Sequence, residues 1–157
     1  MADFLSENYW NNRYLNQQIG WDLGEVSPPI KAYVNQLEQK DLKILIPGVG
    51  NAYEAIYLLE HGFTNVTVVD FAEKPLADLA QKLSDYNTKN CHLIRNDFFN
   101  LKGEFDLIME QTFFCAIHPS LRENYVEKTH HHHKDEFHSQ EFLKVNPECK
   151  HRYHLIQ

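Results

Sequence analysis

The sequence predicts an α/β fold in which helices cover both faces of a parallel sheet. Short apolar runs suited to buried strands alternate with segments whose apolar residues recur at helical spacing. The first apolar run also ends in two closely spaced glycines before a helix, as in a tight strand-to-helix turn. At 157 residues, 43% of them hydrophobic, the chain can build one core of ordinary size.

Four segments have the length and composition of buried strands, and each is followed by polar or glycine-containing sequence. They are residues 42–47, 65–70, 91–95 and 105–110. Helices are predicted between and around them over residues 5–17, 28–39, 51–60, 74–86 and 119–128. Ser27 is in place to cap the second helix ahead of two prolines, and Gly62 closes the third.

Three positions at strand ends predict a nucleoside-containing cofactor. Gly48 and Gly50 let backbone approach a ligand closely at a helix start, and Asp70 ends the second strand twenty-two residues after Gly48. A carboxylate there can accept hydrogen bonds from both hydroxyls of a ribose. Asp97 and Phe98 follow the third strand, where an adenine could be hydrogen-bonded and stacked. An ordinary turn remains the alternative for the glycines considered alone.

The residue three positions after Gly50 distinguishes between two classes of cofactor. A dinucleotide site normally has a third glycine that seats the pyrophosphate against the helix, and here Tyr53 occupies that position. S-adenosylmethionine contains no pyrophosphate and tolerates a bulky residue there. The loop therefore favours S-adenosylmethionine over NAD.

Several segments resemble the thiopurine S-methyltransferase-like family, and among its branches the halide and thiol methyltransferases. They are "WNNRYLNQQIGWDLGEVSPP", "ILIPGVGNAYEA", "VTVVDFA", "NDFF" and "FDLIMEQTFFCAIHPSLRENYV", and they span about residues 7–128. The resemblance implies a Rossmann-like class I methyltransferase sheet. It also implies an enzyme that transfers methyl from S-adenosylmethionine to a small thiol or halide.

Carried over position by position, the resemblance implies a set of cofactor-binding residues. Trp10, Tyr14 and Trp21 would close over the cofactor, and Gln111 would lie beside its methionine part. The full set is Trp10, Tyr14, Trp21, Gly48, Gly50, Asp70, Asp97, Phe98 and Gln111. Val49 replaces the cysteine that is usual in the family. The family often has an aromatic residue at positions 14 and 111, where this sequence has Tyr14 and Gln111.

Other readings stay open for some of these residues and their neighbours. The N-terminal aromatic residues could simply pack beneath a helix, and Phe113 and Phe114 fit a core as well as a site. Cys115 is apolar-flanked and fits an inert core thiol. His118 is a candidate for touching the acceptor. No arrangement of a nucleophile with a base is evident, so no catalytic residue is assigned.

The C-terminal segment departs from the family. Residues 1–128 are predicted to form the S-adenosylmethionine-binding domain, incomplete because its C-terminal strands are missing, and residues 129–157 a divergent, poorly ordered tail. The fourth strand would then expose an apolar edge. Seven of the ten histidines lie in the tail, yet their spacing matches no structural zinc pattern. No dedicated metal site is therefore expected.

The composition argues against several classes of binding partner. A net charge of −7 argues against nucleic acid and anionic membrane surfaces, and no apolar run is long enough to span a bilayer. Three cysteines without paired spacing and an N-terminus without a targeting pattern predict a cytoplasmic protein. A monomer acting on a small molecule is the expectation. The alternatives are a cofactor-binding but inactive, truncated remnant and a metal-binding protein with a histidine tail.

Overall fold

The computed structural model describes residues 5–132 and 153–156. The helices are α1 (Glu7–Leu15), α2 (Pro28–Val34), α3 (Tyr53–Glu60), α4 (Glu73–Lys82), α5 (Phe113–Ala116) and α6 (Arg122–His132). The strands are β1 (Ile44–Pro47), β2 (Val66–Asp70), β3 (Cys91–Arg95), β4 (Leu107–Gln111) and β5 (Tyr153–Ile156). The described helices do not include one with the length and apolar character needed to cross a bilayer.

The sheet has the strand order β3-β2-β1-β4-β5, and its first four strands run parallel. The chain therefore leaves β1 toward one edge through β2 and β3, then returns to the other side of β1 through β4. Ligands in open α/β sheets bind beyond the carboxyl ends of strands at such a reversal. This architecture confirms the predicted α/β, Rossmann-like fold.

The outer edge of β4 has a neighbour, contrary to the expectation that the sheet would lack further strands. β5 runs antiparallel to β4, with Ile156 opposite Ile108 and Tyr153 opposite Gln111. β5 was not predicted because its four residues, YHLI, mix polar and apolar side chains and lack the continuous apolar run by which the other strands were recognised. Residues 133–152, which include most of the predicted poorly ordered tail, lie outside the described residues.

The two faces of the sheet support two hydrophobic clusters, as successive residues of each strand point to opposite faces. Ile44, Ile46 and Met109 join the cluster formed with α2, α3 and α4. Leu45 and Ile108 join the other cluster, formed with the segment after β3 and with α6. Near-continuous burial along β1, β2 and β4 is what a parallel sheet covered on both faces requires.

Some helix boundaries differ from the predicted ones. α2 ends at Val34 instead of continuing to residue 39, and the Ser27 side chain forms no capping hydrogen bond. Pro119 opens a 3-10 turn (Pro119–Leu121) that leads into α6, and a short α5 precedes it. Turns of this kind follow from tertiary contacts and leave little periodicity to detect.

Core burial predicts the effect of truncating Leu58, which is fully buried on the inner face of α3. Leu58→Ala should lower the free energy of unfolding by about 2–5 kcal/mol, because it removes apolar contact and leaves a cavity. Leu15→Ala, at a position that is 61% exposed, should change it by less than about 0.5 kcal/mol. Urea denaturation measures both, and equal effects would contradict the described packing.

Candidate functional site

A cavity of about 650 Å³ opens beyond the carboxyl ends of the parallel strands. Its size lies within the range of small-molecule and cofactor sites. All nine residues predicted to hold the cofactor line this one cavity: Trp10, Tyr14, Trp21, Gly48, Gly50, Asp70, Asp97, Phe98 and Gln111. The structure thus brings the predicted residues together, and their roles in binding stay predictions.

The glycine turn between β1 and α3 is built from left-handed backbone. Gly48 has a φ of +74° and Gly50 a φ of +53°, followed by Ala52 at +65° at the start of α3. Glycine adopts these angles without a Cβ penalty. The turn is closed by a hydrogen bond from the Ala52 N–H to the Val49 carbonyl at 2.8 Å. It exposes backbone to the cavity at the start of α3.

Asp70 ties the glycine turn to the end of β2. Its Oδ2 accepts a hydrogen bond from the Val49 N–H at 2.9 Å, and its Oδ1 accepts one from the Ala72 N–H at 2.8 Å. Burial raises the pKa of Asp70, and these backbone donors act in the opposite direction. The carboxylate is therefore fixed at the cavity wall with lone pairs left for a ligand.

Gly48 is also required by a close contact with α5. A Cβ on Gly48 would lie 2.7 Å from Cδ2 of Phe113, which is closer than two carbon atoms approach without displacement. Phe113 therefore packs on the bare backbone of the glycine turn. Gly48 is therefore needed both for its positive φ and for the close contact with Phe113.

The N-terminal aromatic residues form an edge-to-face cluster over the cavity. The ring centroids of Trp10 and Trp21 are 5.4 Å apart, and those of Tyr14 and Trp21 are 6.1 Å apart. Burial first, and then the charge of Asp70, raise the pKa of Tyr14. These residues both pack on one another and line the cavity, so the two interpretations of the sequence are compatible.

Contacts with α4 and β3 hold α1 in place beside the cavity. Arg95 donates to Glu7 at 2.7 Å and pairs with Glu73 at 3.2 Å. The Lys74 N–H donates to the Asn11 side chain at 3.0 Å. α1 has no fully buried residue, and these polar contacts act together with the packing of Trp10 and Tyr14 against Trp21.

The end of β3 supplies a capped turn. Asp97 is exposed, and its Oδ1 accepts a hydrogen bond from the Phe99 N–H at 2.9 Å, which starts the 3-10 turn Phe98–Asn100. Phe98 is only 3% exposed, and its ring centroid is 5.4 Å from that of Phe113. The Phe98 ring thus forms a wall of the cavity that is continuous with the core.

A buried carboxyl supports the turn that follows β4. Oε2 of Glu110 accepts a hydrogen bond from the Phe113 N–H at 2.7 Å, across Thr112, whose φ is +69°. Such an angle is rare for a β-branched residue and marks local strain. Burial raises the pKa of Glu110 to about 8, and this backbone hydrogen bond opposes the shift. Gln111 and Thr112 are thereby presented to the cavity.

Other residues singled out from the sequence also lie at the site. Cys115 is half-buried and lines the cavity, so it is not an enclosed core thiol. Phe113 and Phe114 pack on the core, and Phe113 lines the cavity as well. His118 is exposed at the cavity edge, with Nδ1 2.8 Å from Oγ of Ser120.

Sequence reasoning missed two acidic residues in the cavity wall, Asp22 and Glu54. Glu54 had a detectable signal, because it lies in the first turn of the helix that follows the glycines. Asp22 stands in the quoted segment WNNRYLNQQIGWDLGEVSPP, but it lies in a loop that tertiary contacts bring to the turn, so no local pattern placed it at the cavity. Within the described residues no group of three or more possible metal ligands occurs, and most of the histidine-rich segment lies outside them.

Comparison with known proteins identifies the family. The family model "Thiopurine S-methyltransferase (TPMT)" matches residues 5–145. The chain belongs to the thiopurine S-methyltransferase family. This confirms the resemblance noted from the sequence motifs and extends it beyond residue 128.

Individual relatives are similar at modest identity. A probable thiol methyltransferase 2 of Arabidopsis thaliana is 28% identical over an alignment of 130 residues that covers 79% of this chain and 57% of that protein. A thiopurine S-methyltransferase of Pseudomonas aeruginosa is 25% identical over 139 residues, covering 78% and 63%. The chain thus spans about three-fifths of the length of these relatives.

Solved structures show the same fold. A Burkholderia thailandensis 1,6-didemethyltoxoflavin-N1-methyltransferase aligns with a TM-score of 0.69 at 20% identity, covering 84% of this chain and 60% of that one. A magnesium protoporphyrin IX methyltransferase of Synechocystis PCC 6803 aligns with a TM-score of 0.66 at 16% identity, covering 82% and 71%. At these identities the likeness concerns the fold.

Gly48→Ala should lower the free energy of unfolding by about 2–4 kcal/mol, from left-handed strain plus the displacement of Phe113. Gly24→Ala is the matched control, because Gly24 has nearly the same φ, +76°, and open space around the added Cβ. It should cost about 1–2 kcal/mol, through strain alone. Denaturant unfolding gives both values. Equal losses would show that Phe113 does not depend on the bare glycine.

The pKa of Glu110 predicts a pH dependence of stability. On unfolding, this carboxyl returns to an ordinary pKa near 4.3, so between about pH 5 and pH 8 the unfolded state holds fewer protons than the folded state. Stability then falls as the pH rises, by at most about 1.4 kcal/mol per unit.

Glu110→Gln removes this titration, so the difference in unfolding free energy between variant and wild type should grow in favour of the variant from pH 5 to pH 8. Glu104→Gln, at an exposed position, serves as the control and should follow the wild type. Parallel pH profiles for wild type and Glu110→Gln would contradict a neutral buried carboxyl.

Proposed function

We propose that the chain is an S-adenosylmethionine-dependent methyltransferase acting on a small thiol or halide. The observation that carries the proposal is the shared geometry of the glycine turn and Asp70, hydrogen-bonded to each other at the wall of one large cavity. Membership of the family and the methyltransferase names of the relatives support it. Because the chain spans only part of those relatives, its own activity is part of the proposal.

The residues present fit this cofactor. The glycine turn offers left-handed, uncovered backbone, and the fixed Asp70 carboxylate has lone pairs for ribose hydroxyls. Tyr53 stands where a dinucleotide site would have its third glycine, and this residue lines the cavity. Asp97 and Phe98 complete the wall at the end of β3, where an adenine would lie.

Bound S-adenosylmethionine supplies a methyl group already activated by its sulfonium. The chain then has to align the acceptor with that methyl and keep water out. Trp10 and Trp21, packed edge-to-face, shield the cavity from the N-terminal side. An aromatic face near a sulfonium stabilises it by roughly 0.5–2 kcal/mol, depending on desolvation. A thiolate or halide acceptor needs no strong general base, in keeping with the absence of an assigned catalytic residue.

The acceptor would approach from the side formed by α5 and the turn after it. Cys115, Ile117 and Leu121 line the cavity there, together with His118 at its edge. An apolar wall suits a polarisable sulfur or halide atom better than a strongly hydrated oxygen nucleophile. The relatives carry names of the same chemistry, including a thiocyanate methyltransferase 1 of Brassica oleracea that is 25% identical over 125 residues, covering 78% of this chain and 55% of that protein.

A cofactor-binding but inactive protein is the second candidate. It is compatible with the same geometry, because binding of the cofactor at the glycine turn and Asp70 does not by itself require a completed acceptor side. In that case the cavity would bind cofactor without completing the acceptor side. Binding alone does not separate the two candidates, whereas turnover does.

Transfer of labelled methyl from S-adenosylmethionine to a small thiol, iodide or thiocyanate tests the proposal. We expect a methylated thiol or halide, and Asp70→Asn should raise KM for S-adenosylmethionine about tenfold or more by weakening its hydrogen bonds to ribose. Asp78→Asn, at a carboxylate paired with Lys74 outside the cavity, is the control and should leave KM unchanged. Cofactor binding without methyl transfer to any of these acceptors would favour the inactive alternative.

A further inference from the structure

The C-terminal strand begins at the end of the sheet where the cavity lies. β5 runs antiparallel to β4, so its first residue, Tyr153, lies at the carboxyl end of β4. The same end of β4 carries Gln111 and Thr112, which line the cavity. The strand therefore brings a residue from far along the chain to the edge of the candidate site.

The strand register gives the position of Tyr153 more closely. Tyr153 is directly opposite Gln111. Residues that are opposite each other in an antiparallel pair share one face of the sheet, with Cβ atoms about 4.5–5.5 Å apart. Tyr153 thus takes a position beside a residue of the cavity wall. His154 takes the next position, opposite the buried Glu110, and belongs to the other face.

This corner of the cavity is the acceptor side of the proposed function. α5 begins two residues after Gln111, and the lining that follows is largely apolar, with Cys115, Ile117 and Leu121. The described residues that line the cavity include no lysine or arginine. A thiolate or a halide is an anion, so it would gain from a hydrogen-bond donor on this side.

A tyrosine has both properties that such an acceptor requires. Its phenol O–H can donate a hydrogen bond to an anion, and its ring offers apolar surface to the organic part of a thiol. Hydrogen bonds to an ionised partner are roughly twice as strong as those between neutral groups. A tyrosine beside Gln111 can therefore affect both the affinity for an acceptor and the choice between acceptors.

We propose that Tyr153, which β5 places opposite Gln111 at the acceptor side of the cavity, is a specificity-determining residue for the methyl acceptor. The inference rests on the proposed function and adds to it a residue of the C-terminal segment. Tyr153 follows residues 5–145, which the family model matches, so the assignment comes from the strand register of this chain. The acceptor side is then completed by the chain's own last strand.

The chemistry of the transfer predicts which kinetic constant depends on Tyr153. A thiol first loses its proton to water. The thiolate sulfur then forms a bond to the methyl carbon while the bond from that carbon to the sulfonium breaks, and the electron pair of the broken bond stays on the cofactor's sulfur. Because the acceptor loses its negative charge in this step, a hydrogen bond to it is stronger before the transfer than in the transition state. Such a bond lowers KM and does not raise kcat.

Steady-state kinetics with two acceptors, benzyl thiol and iodide, test the assignment. Tyr153→Phe removes only the donor and should raise KM for both acceptors about tenfold, with kcat unchanged or higher. Tyr153→Ala also removes the ring, so it should raise KM for benzyl thiol further and leave KM for iodide at the value of Tyr153→Phe. The affinity for S-adenosylhomocysteine, measured by calorimetry, should stay within about twofold in both variants.

Tyr86→Phe is the matched control, because the Tyr86 hydroxyl donates to Glu60 at 2.9 Å, away from the described lining of the cavity. It should leave both KM values unchanged. Unchanged KM values in Tyr153→Phe and Tyr153→Ala would overturn the assignment. An equal loss of affinity for S-adenosylhomocysteine would also overturn it, since that result indicates a general structural role. If the wild type transfers methyl to no acceptor, the proposed function itself fails, which is a different result.

A cross-strand disulfide tests the placement of Tyr153 independently of activity. Opposite residues of an antiparallel pair have Cα atoms about 4.5–5.5 Å apart, within the range of about 4.4–6.8 Å that a disulfide spans. Oxidation of the double variant Gln111→Cys and Tyr153→Cys should therefore link positions 111 and 153, as identified by peptide mass spectrometry. The double variant Gln111→Cys and Leu155→Cys, two residues further along the same face, is the control and should form the link far less. Absence of the link between 111 and 153, or equal yields from both double variants, would overturn the inference.

Discussion

The hydrogen bond from the Val49 N–H to Asp70 Oδ2 is the constraint on which the rest of the site depends. It joins two positions that are 21 residues apart, the turn after β1 and the end of β2. The neighbouring bond from Gly48 N–H to the Val69 carbonyl, at 2.8 Å, continues the sheet up to that point. Together they fix a glycine backbone and a carboxylate in one wall, as the proposed binding of a ribose requires.

The opposite wall is held in place from the other side of β1. Glu110 accepts from the Phe113 N–H and so sets the position of α5, and the Phe113 ring then packs on Gly48. A neutral carboxyl can accept this hydrogen bond at a low desolvation cost. Burying an ionised carboxylate in the low-dielectric interior would cost much more free energy. The two walls are thus coupled through one glycine, whose missing side chain leaves room for the contact.

The strand positions, the glycine turn and the acidic residues at strand ends could be predicted from the sequence. Each follows from local periodicity or from a fixed spacing along one βα unit. It did not place Asp22 in the cavity wall, since a loop residue is positioned by partners such as Asn51 that adjoin it only in the folded chain. Glu110 was read as part of a strand, and its supporting bond depends on the left-handed Thr112 that periodicity cannot detect. The strand β5 was missed because an antiparallel edge strand of four residues requires no apolar run.

The central claim is that this cavity binds S-adenosylmethionine through Asp70, and calorimetric titration of the wild type and Asp70→Ala with S-adenosylhomocysteine tests it most directly. The account predicts saturable one-to-one binding by the wild type and its loss in the variant, with circular dichroism showing that both remain folded. Absence of binding by the folded wild type, or undiminished binding by the folded variant, would contradict it.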